Sequence, residues 1–181
     1  MHHTAVPQEH HQANRAWIGL GANLGLAHET LSAAVAAIAS WPHTTLDAAS
    51  ALFHSAPVDA DGPDYTNAVI RICTTMAPLD LLHALQALEL EAGRQRPYRN
   101  APRTLDLDIL LYEQDGHWLQ LGTSELTLPH PRMFERAFVL QPLNSINPAL
   151  VSPAQLAATA QQRLEVLPAA QQWRWSDAKA R

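Results

Sequence analysis

Two aspartates, Asp106 and Asp108, carry the clearest chemistry in this 181-residue chain. Residues two apart in a strand project from one face. If Thr104 to Tyr112 is a strand, the two carboxylates stand side by side, about 7 Å apart at the backbone. Leu105, Leu107 and Ile109 then turn the other way, into the core. Like charges that close repel unless something neutralises them. Oxygen-only ligands suit Mg²⁺, which takes one or two carboxylates and completes its shell with phosphate and water. Taken alone, the pair fits the solvated face of an amphipathic strand equally well.

The preceding segment bears on that choice. Arg94, Arg96, Arg99 and Arg103 fall within RQRPYRNAPR, in a chain with only 12 basic residues. Guanidinium forks match phosphate oxygens. A basic loop running into a carboxylate pair describes a Mg²⁺–polyphosphate site, with the arginines offsetting the remaining charge. The alternative is that the arginines neutralise Glu89, Glu91 and the two aspartates. His130, confined between Pro129 and Pro131, and the following Arg132 and Arg136 are further donors for an anion. Tyr65 and Asn67 lie two apart at the start of a strand, and Phe138 lies further on. Aromatic faces with an amide suit a flat heterocycle, although ordinary core packing explains the rings too.

These residues need elements to position them. RAWIGL (15–20) reads as a buried strand, and Gly19 to Gly25 as the turn after it, its glycines lacking Rossmann or P-loop spacing. His28 to Ala39 has helical spacing, ended by Trp41-Pro42. Thr44 to Phe53 and Tyr65 to Thr75 read as strands, with a loop at Ser55 to Pro63. Pro78 opens a helix that stops at Gly93, burying Leu81, Leu82, Leu85, Leu88 and Leu90. Asp115-Gly116 is a turn before a short strand, Trp118 to Leu121. Arg132 to Leu140 and Pro153 to Leu164 read as helices. This strand-helix-strand-strand-helix-strand order is the ferredoxin-like βαββαβ order of an α+β protein. It predicts an antiparallel sheet with helices on one face, plus C-terminal helical additions. Residues 1–14, rich in His, read as a disordered tail, and 15–181 as a single domain.

Composition narrows the class. With 47% hydrophobic residues the chain is globular, and a net charge of −5 argues against a nucleic-acid binder. No apolar run spans a bilayer and no signal peptide is visible. Cys73 is the only cysteine, in keeping with a reducing cytoplasm. The expectation is a cytoplasmic monomer that binds neither nucleic acid nor membrane.

Together the motifs resemble the 6-hydroxymethyl-7,8-dihydropterin pyrophosphokinase family from about Ala16 to Leu150. The most specific piece is Pro102-Arg103-Thr104-Leu105-Asp106-Leu107-Asp108-Ile109. Gly21-Ala22-Asn23-Leu24-Gly25, Pro63-Asp64-Tyr65-Thr66-Asn67-Ala68, Glu89 before Gly93-Arg94, Pro129-His130-Pro131-Arg132 and Arg136-Ala137-Phe138 stand in the family's order. The resemblance implies that a pterin hydroxymethyl oxygen attacks the β-phosphorus of ATP, giving AMP and the pterin pyrophosphate of folate biosynthesis. It implies a catalytic set of Arg94, Arg96, Arg103, Asp106 and Asp108, in which the aspartates bind two Mg²⁺ and the arginines contact the triphosphate or close the loop over it. It further implies that Gln86, Glu89, Arg94, Arg103, Ile109, Thr127, His130 and Arg136 bind ATP. Tyr65 and Phe138 would sandwich the pterin, with Asn67 and the Ser55-to-Val58 loop, Ser55 and Val58 included, on its edge. The chain departs from the pattern at Ser55, where Thr is frequent, at Asn100, where some members have Trp, and at Glu125, which can be basic. Two other readings stay open: a two-metal phosphohydrolase or nuclease using the same aspartates, and a non-catalytic module that binds nucleotide or pterin.

Overall fold

The central strand β1 (Asn14–Ala22) buries consecutive residues, Ala16, Trp17 and Ile18, so both of its faces are covered. It belongs to a computed structural model that describes residues 13–56, 63–93 and 104–173. After β1 come α1 (Ala27–Ala39), β2 (Thr44–Ala49), β3 (Phe53–Ser55), β4 (Tyr65–Thr74), α2 (Pro78–Glu91) and β5 (Asp106–Gln114). Short strands β6 (His117–Trp118), β7 (Leu121–Gly122) and β8 (Thr127–Leu128) lead to α3 (Ala137–Ile146), α4 (Pro153–Ala158) and β9 (Leu164–Val166). Single 3₁₀ turns occupy Met133–Glu135, Pro148–Leu150 and Ala169–Gln171.

The main sheet runs β6-β5-β1-β4-β3-β9, with β2 also on β4. Its pairs are antiparallel. With β1 flanked by β4 and β5, this is the α+β, ferredoxin-like arrangement that the element order predicts.

One expectation of the layering is corrected. Helices α1 and α2 cover one face, where Leu31, Val35, Ile38, Leu81 and Leu85 meet Ile18, Leu20, Ile70, Ile72, Leu107 and Ile109. The opposite face is covered as well. Trp17, Val69, Leu110 and Leu111 pack under Met133, Val139, Leu140 and Leu143. Burying each such side chain is worth about 1.5–3 kcal/mol, so a strand face this apolar draws α3 onto it.

Local differences have local causes. The 44–53 stretch is not one strand. Ala49 pairs with Ile70 and Phe53 with Asn67, so one residue more lies on this side of the ladder than on β4. Ser50 fills the break, its hydroxyl accepting the Val69 N–H at 3.1 Å. In α2, Leu90 is 67% exposed, while Glu89 is 1% exposed. Positions 81, 85 and 89 recur at the i, i+4 step, so Glu89 continues the buried stripe and Leu90 falls off it. Gly19 and Gly21 lie inside β1 rather than in the turn, and Asn14 pairs with Thr74 rather than belonging to a tail. The strand β5 starts at Asp106 and extends to Gln114. Asp115 and Gly116 have φ of 51° and 77°, the left-handed pair of a two-residue hairpin turn, as the Asp-Gly signal predicts. The 118–121 stretch divides: His117–Trp118 pairs with β5, and Leu121–Gly122 with β8. Extended backbone at Arg136 (φ −123°, ψ 115°) splits the 132–140 helix. A capping box of Ser152 and Gln155 starts α4, but it ends at Ala158. Leu164–Val166 pairs instead with the free edge of β3.

Candidate active site

Register assembles the site. Asn67 on β4 pairs with Gly21 on β1, and Gly21 pairs with Asp106 on β5. Directly opposed residues of adjacent strands share a face, so Asn67, Gly21 and Asp106 form one rung. Gly19 and Asp108 lie two residues along on the same face. Gly21 leaves the middle of the rung bare. A Cβ there would stand 3.3 Å from Asn67 Oδ1 and 3.9 Å from Tyr65 Cδ1. The slot therefore has an amide oxygen and a phenol ring on one side and a carboxylate on the other. Glycines two apart in a strand carry this signal in the sequence, but it is visible only once β1 is seen to continue through them.

The amide end of the rung is fixed. Asn67 Nδ2 donates to Ser55 Oγ at 2.8 Å, both residues being buried. That leaves Oδ1 turned toward Gly21. Asn23 Nδ2 donates to the Pro63 carbonyl at 3.2 Å and ties the end of β1 to the approach of β4.

At the carboxylate end, Asp106 and Asp108 are half-buried, while Leu105, Leu107 and Ile109 are buried in the opposite direction. The alternation read from the sequence holds at all five positions. The side chain of Ile109, 2% exposed, faces the core under the helices. Only its main chain is available to a ligand. Glu89 closes the outer edge of β5: its Oε1 accepts the Leu107 N–H at 2.7 Å, between the two aspartates. Among the described residues the β6 ladder on this edge reaches Glu113 and Gln114 and stops short of Leu107.

His130 and Arg136 lie near enough to the same carboxylates to feel their charge. The His130 N–H donates to the Leu110 carbonyl at 2.8 Å and so fastens the segment to β5. The Arg132 N–H donates to His130 Nδ1 at 3.2 Å, which leaves the proton of a neutral ring on Nε2. Burial pushes the His130 pKa below its ordinary 6.5; Asp108 and Asp106 oppose that, while Arg136 and Arg132 add to it. Burial also lowers the Arg136 pKa, followed by repulsion from Arg132, against attraction to Asp108 and Asp106. Arginine nevertheless stays charged. Its guanidinium carbon lies 5.4 Å from the centre of the half-buried Phe138 ring. Gln86 on α2 and Thr127 on β8 are exposed. Val58, Arg94, Arg96 and Arg103 lie outside the described residues.

Two half-buried carboxylates are a fitting donor set for Mg²⁺ shared with phosphates. Among the described residues no group of three His, Cys, Asp or Glu side chains is placed to hold a metal. Also among the described residues, no helix is long and apolar enough to cross a membrane.

Fold and site thus define a ferredoxin-like α+β protein with a carboxylate–cation pocket beside an amide-and-aromatic slot. Residues 17–148 match the family model described as 7,8-dihydro-6-hydroxymethylpterin-pyrophosphokinase (HPPK). The chain belongs to this pyrophosphokinase family. It is similar to the 2-amino-4-hydroxy-6-hydroxymethyldihydropteridine pyrophosphokinase of Pseudomonas aeruginosa, 48% identical over 77% of this chain and 84% of the relative. The Bacillus subtilis enzyme of the same name is 38% identical over 84% of this chain and 90% of the relative. A crystal structure of Plasmodium falciparum HPPK-DHPS superposes with a TM-score of 0.56 at 14% identity, covering 77% of this chain and 39% of that longer one. At that identity the likeness speaks for the fold alone.

Proposed function

We propose that the protein transfers pyrophosphate from ATP to the hydroxymethyl group of 6-hydroxymethyl-7,8-dihydropterin, giving AMP and the pterin pyrophosphate used in folate biosynthesis. Membership of the family supports the activity. The observation that supports it at the level of the site is the Asn67–Gly21–Asp106 rung, which sets an amide and a carboxylate on one sheet face.

On this reading Asn67 Oδ1 accepts a hydrogen bond from the edge of the pterin. Tyr65 and Phe138 flank its faces, and Gly21 lets the ring lie close to β1. Ser55 orients Asn67, and the main chain near Val58 completes the edge. Asp106 and Asp108 would hold two Mg²⁺, which supply charge neutralisation to the triphosphate when bound. His130, as the neutral Nε2–H tautomer, donates to a phosphate oxygen, and Arg136 adds positive charge beside it. Arg94, Arg96 and Arg103 contact the triphosphate from the preceding loop. Gln86, Glu89, Thr127 and the main chain of Ile109 border the nucleotide. Displacement at phosphorus needs alignment and charge neutralisation more than a strong base, and no general base is assigned. The chain from Asn14 onward acts as one domain, a monomer in the cytoplasm.

The test is product analysis. Incubation with ATP, Mg²⁺ and the pterin alcohol should release AMP in step with pterin pyrophosphate, and no AMP without the alcohol. Steady formation of ADP instead would overturn the reading.

A further inference from the structure

The segment after α4 is tied to the sheet where β2 gives way to β3. Leu52 is fully buried there, and buried main-chain groups need partners. Gln172 and Leu167 supply them: Gln172 Oε1 accepts the Leu52 N–H at 2.7 Å, the Leu52 carbonyl accepts from the Leu167 N–H at 2.9 Å and from Gln172 Nε2 at 3.2 Å, and Nε2 also donates to the Leu167 carbonyl at 2.7 Å. Trp173 donates Nε1–H to the Ser50 carbonyl at 2.6 Å. β9 adds a ladder to β3, with Phe53, His54 and Ser55 opposite Val166, Glu165 and Leu164. β3 is only three residues long and ends on Ser55, whose hydroxyl holds the amide of Asn67. The Gln172 side chain and the Leu167 N–H thus act together as an extra strand for the bend that leads into the slot.

We propose that Gln172 and Trp173 are positioning residues for the acceptor substrate. They hold the 50–52 bend, and through it β3, so that Ser55 keeps Asn67 Oδ1 turned toward Gly21. The inference rests on the proposed placement of the pterin at Asn67. A purely structural role for the same bonds would lower stability and leave substrate discrimination alone.

The experiment is steady-state kinetics on the full-length chain carrying Gln172→Leu, Trp173→Phe or Ser55→Ala, with melting temperature recorded for each. Gln172→Leu keeps the bulk of the side chain and removes its hydrogen bonds. A net hydrogen bond of about 0.5–1.5 kcal/mol predicts a rise in KM for the pterin alcohol of about twofold to twelvefold, with KM for MgATP unchanged. Trp173→Phe should move the same constant in the same direction, and it carries the test if Gln172→Leu does not fold. In a Ser55→Ala background, Gln172→Leu should add less than about twofold, because both act on one amide. A lower melting temperature with both KM values unmoved, or moved equally, overturns the proposal. If Ser55→Ala raises the pterin KM while Gln172→Leu and Trp173→Phe do not, only the positioning role fails. If Ser55→Ala leaves it unchanged, the pterin placement fails and the positioning role with it.

Discussion

At the scale of single residues, the carboxylates of Asp106 and Asp108 lie on the face opposite the buried Leu105, Leu107 and Ile109, so either can be removed without opening the core. Asp106→Ala or Asp108→Ala should lower kcat by about a thousandfold or more, the cost of losing metal-centred charge stabilisation worth several kcal/mol. Far-UV circular dichroism should be unchanged, and a variant that turns over normally would remove the metal assignment. His130 offers a second residue-level outcome. Burial, the leading cause, sets its folded pKa below 6.5, so the ring is neutral at pH 7. As pH falls through 6.5 the unfolded chain takes up its proton first. The contribution of His130 to stability is thus complete above 6.5 and declines from there down to the folded value. In the metal-free protein, NMR titration of the imidazole should give a midpoint below 6.5, and a midpoint above it would contradict the buried, neutral ring. The aspartates were legible in the sequence because strand alternation is a local rule. That His130 and Arg136 face them was not, since it depends on the His130 N–H reaching the Leu110 carbonyl across the fold.

At the scale of elements, Glu89 shows where pattern reading falls short. Hydrophobic spacing nominates Leu90 for the buried face of α2, yet the i, i+4 stripe buries a carboxylate. Its use appears only when β5 is in place and the Leu107 N–H needs an acceptor. Glu89→Ala should destabilise the protein by about 1–3 kcal/mol, the cost of leaving a buried amide unsatisfied. Urea denaturation would show it as a lower midpoint at constant slope. Glu89→Gln, which keeps an acceptor oxygen, should recover part of the loss. The break between β2 and β3 escaped the sequence for a related reason. A single extra residue in a ladder leaves no mark on propensity, whereas the Asp115-Gly116 turn does, because its left-handed backbone restricts residue type.

At the scale of the whole molecule, the two-faced burial of the sheet separates this chain from a plain one-sided layer. Leu140→Ala should cost about 2–5 kcal/mol, because the side chain is fully buried against the second face. Were that face open to water, the same change would cost less than about 0.5 kcal/mol, and a denaturation curve tells the two apart. The strand order was readable from the sequence of elements, but the position of α3 was not, since Trp17 and Val69 look the same in a sequence whichever layer covers them. The bare rung at Gly21 has one more consequence: the sheet acts as a ruler. Asn67 and Asp106 are separated by two strand spacings, about 10 Å, a length fixed by hydrogen bonds rather than by adjustable side chains. A pterin alcohol lengthened by one methylene should still bind through its ring. Its oxygen, however, would overshoot the phosphorus alignment, so kcat should fall by about a hundredfold while KM changes little.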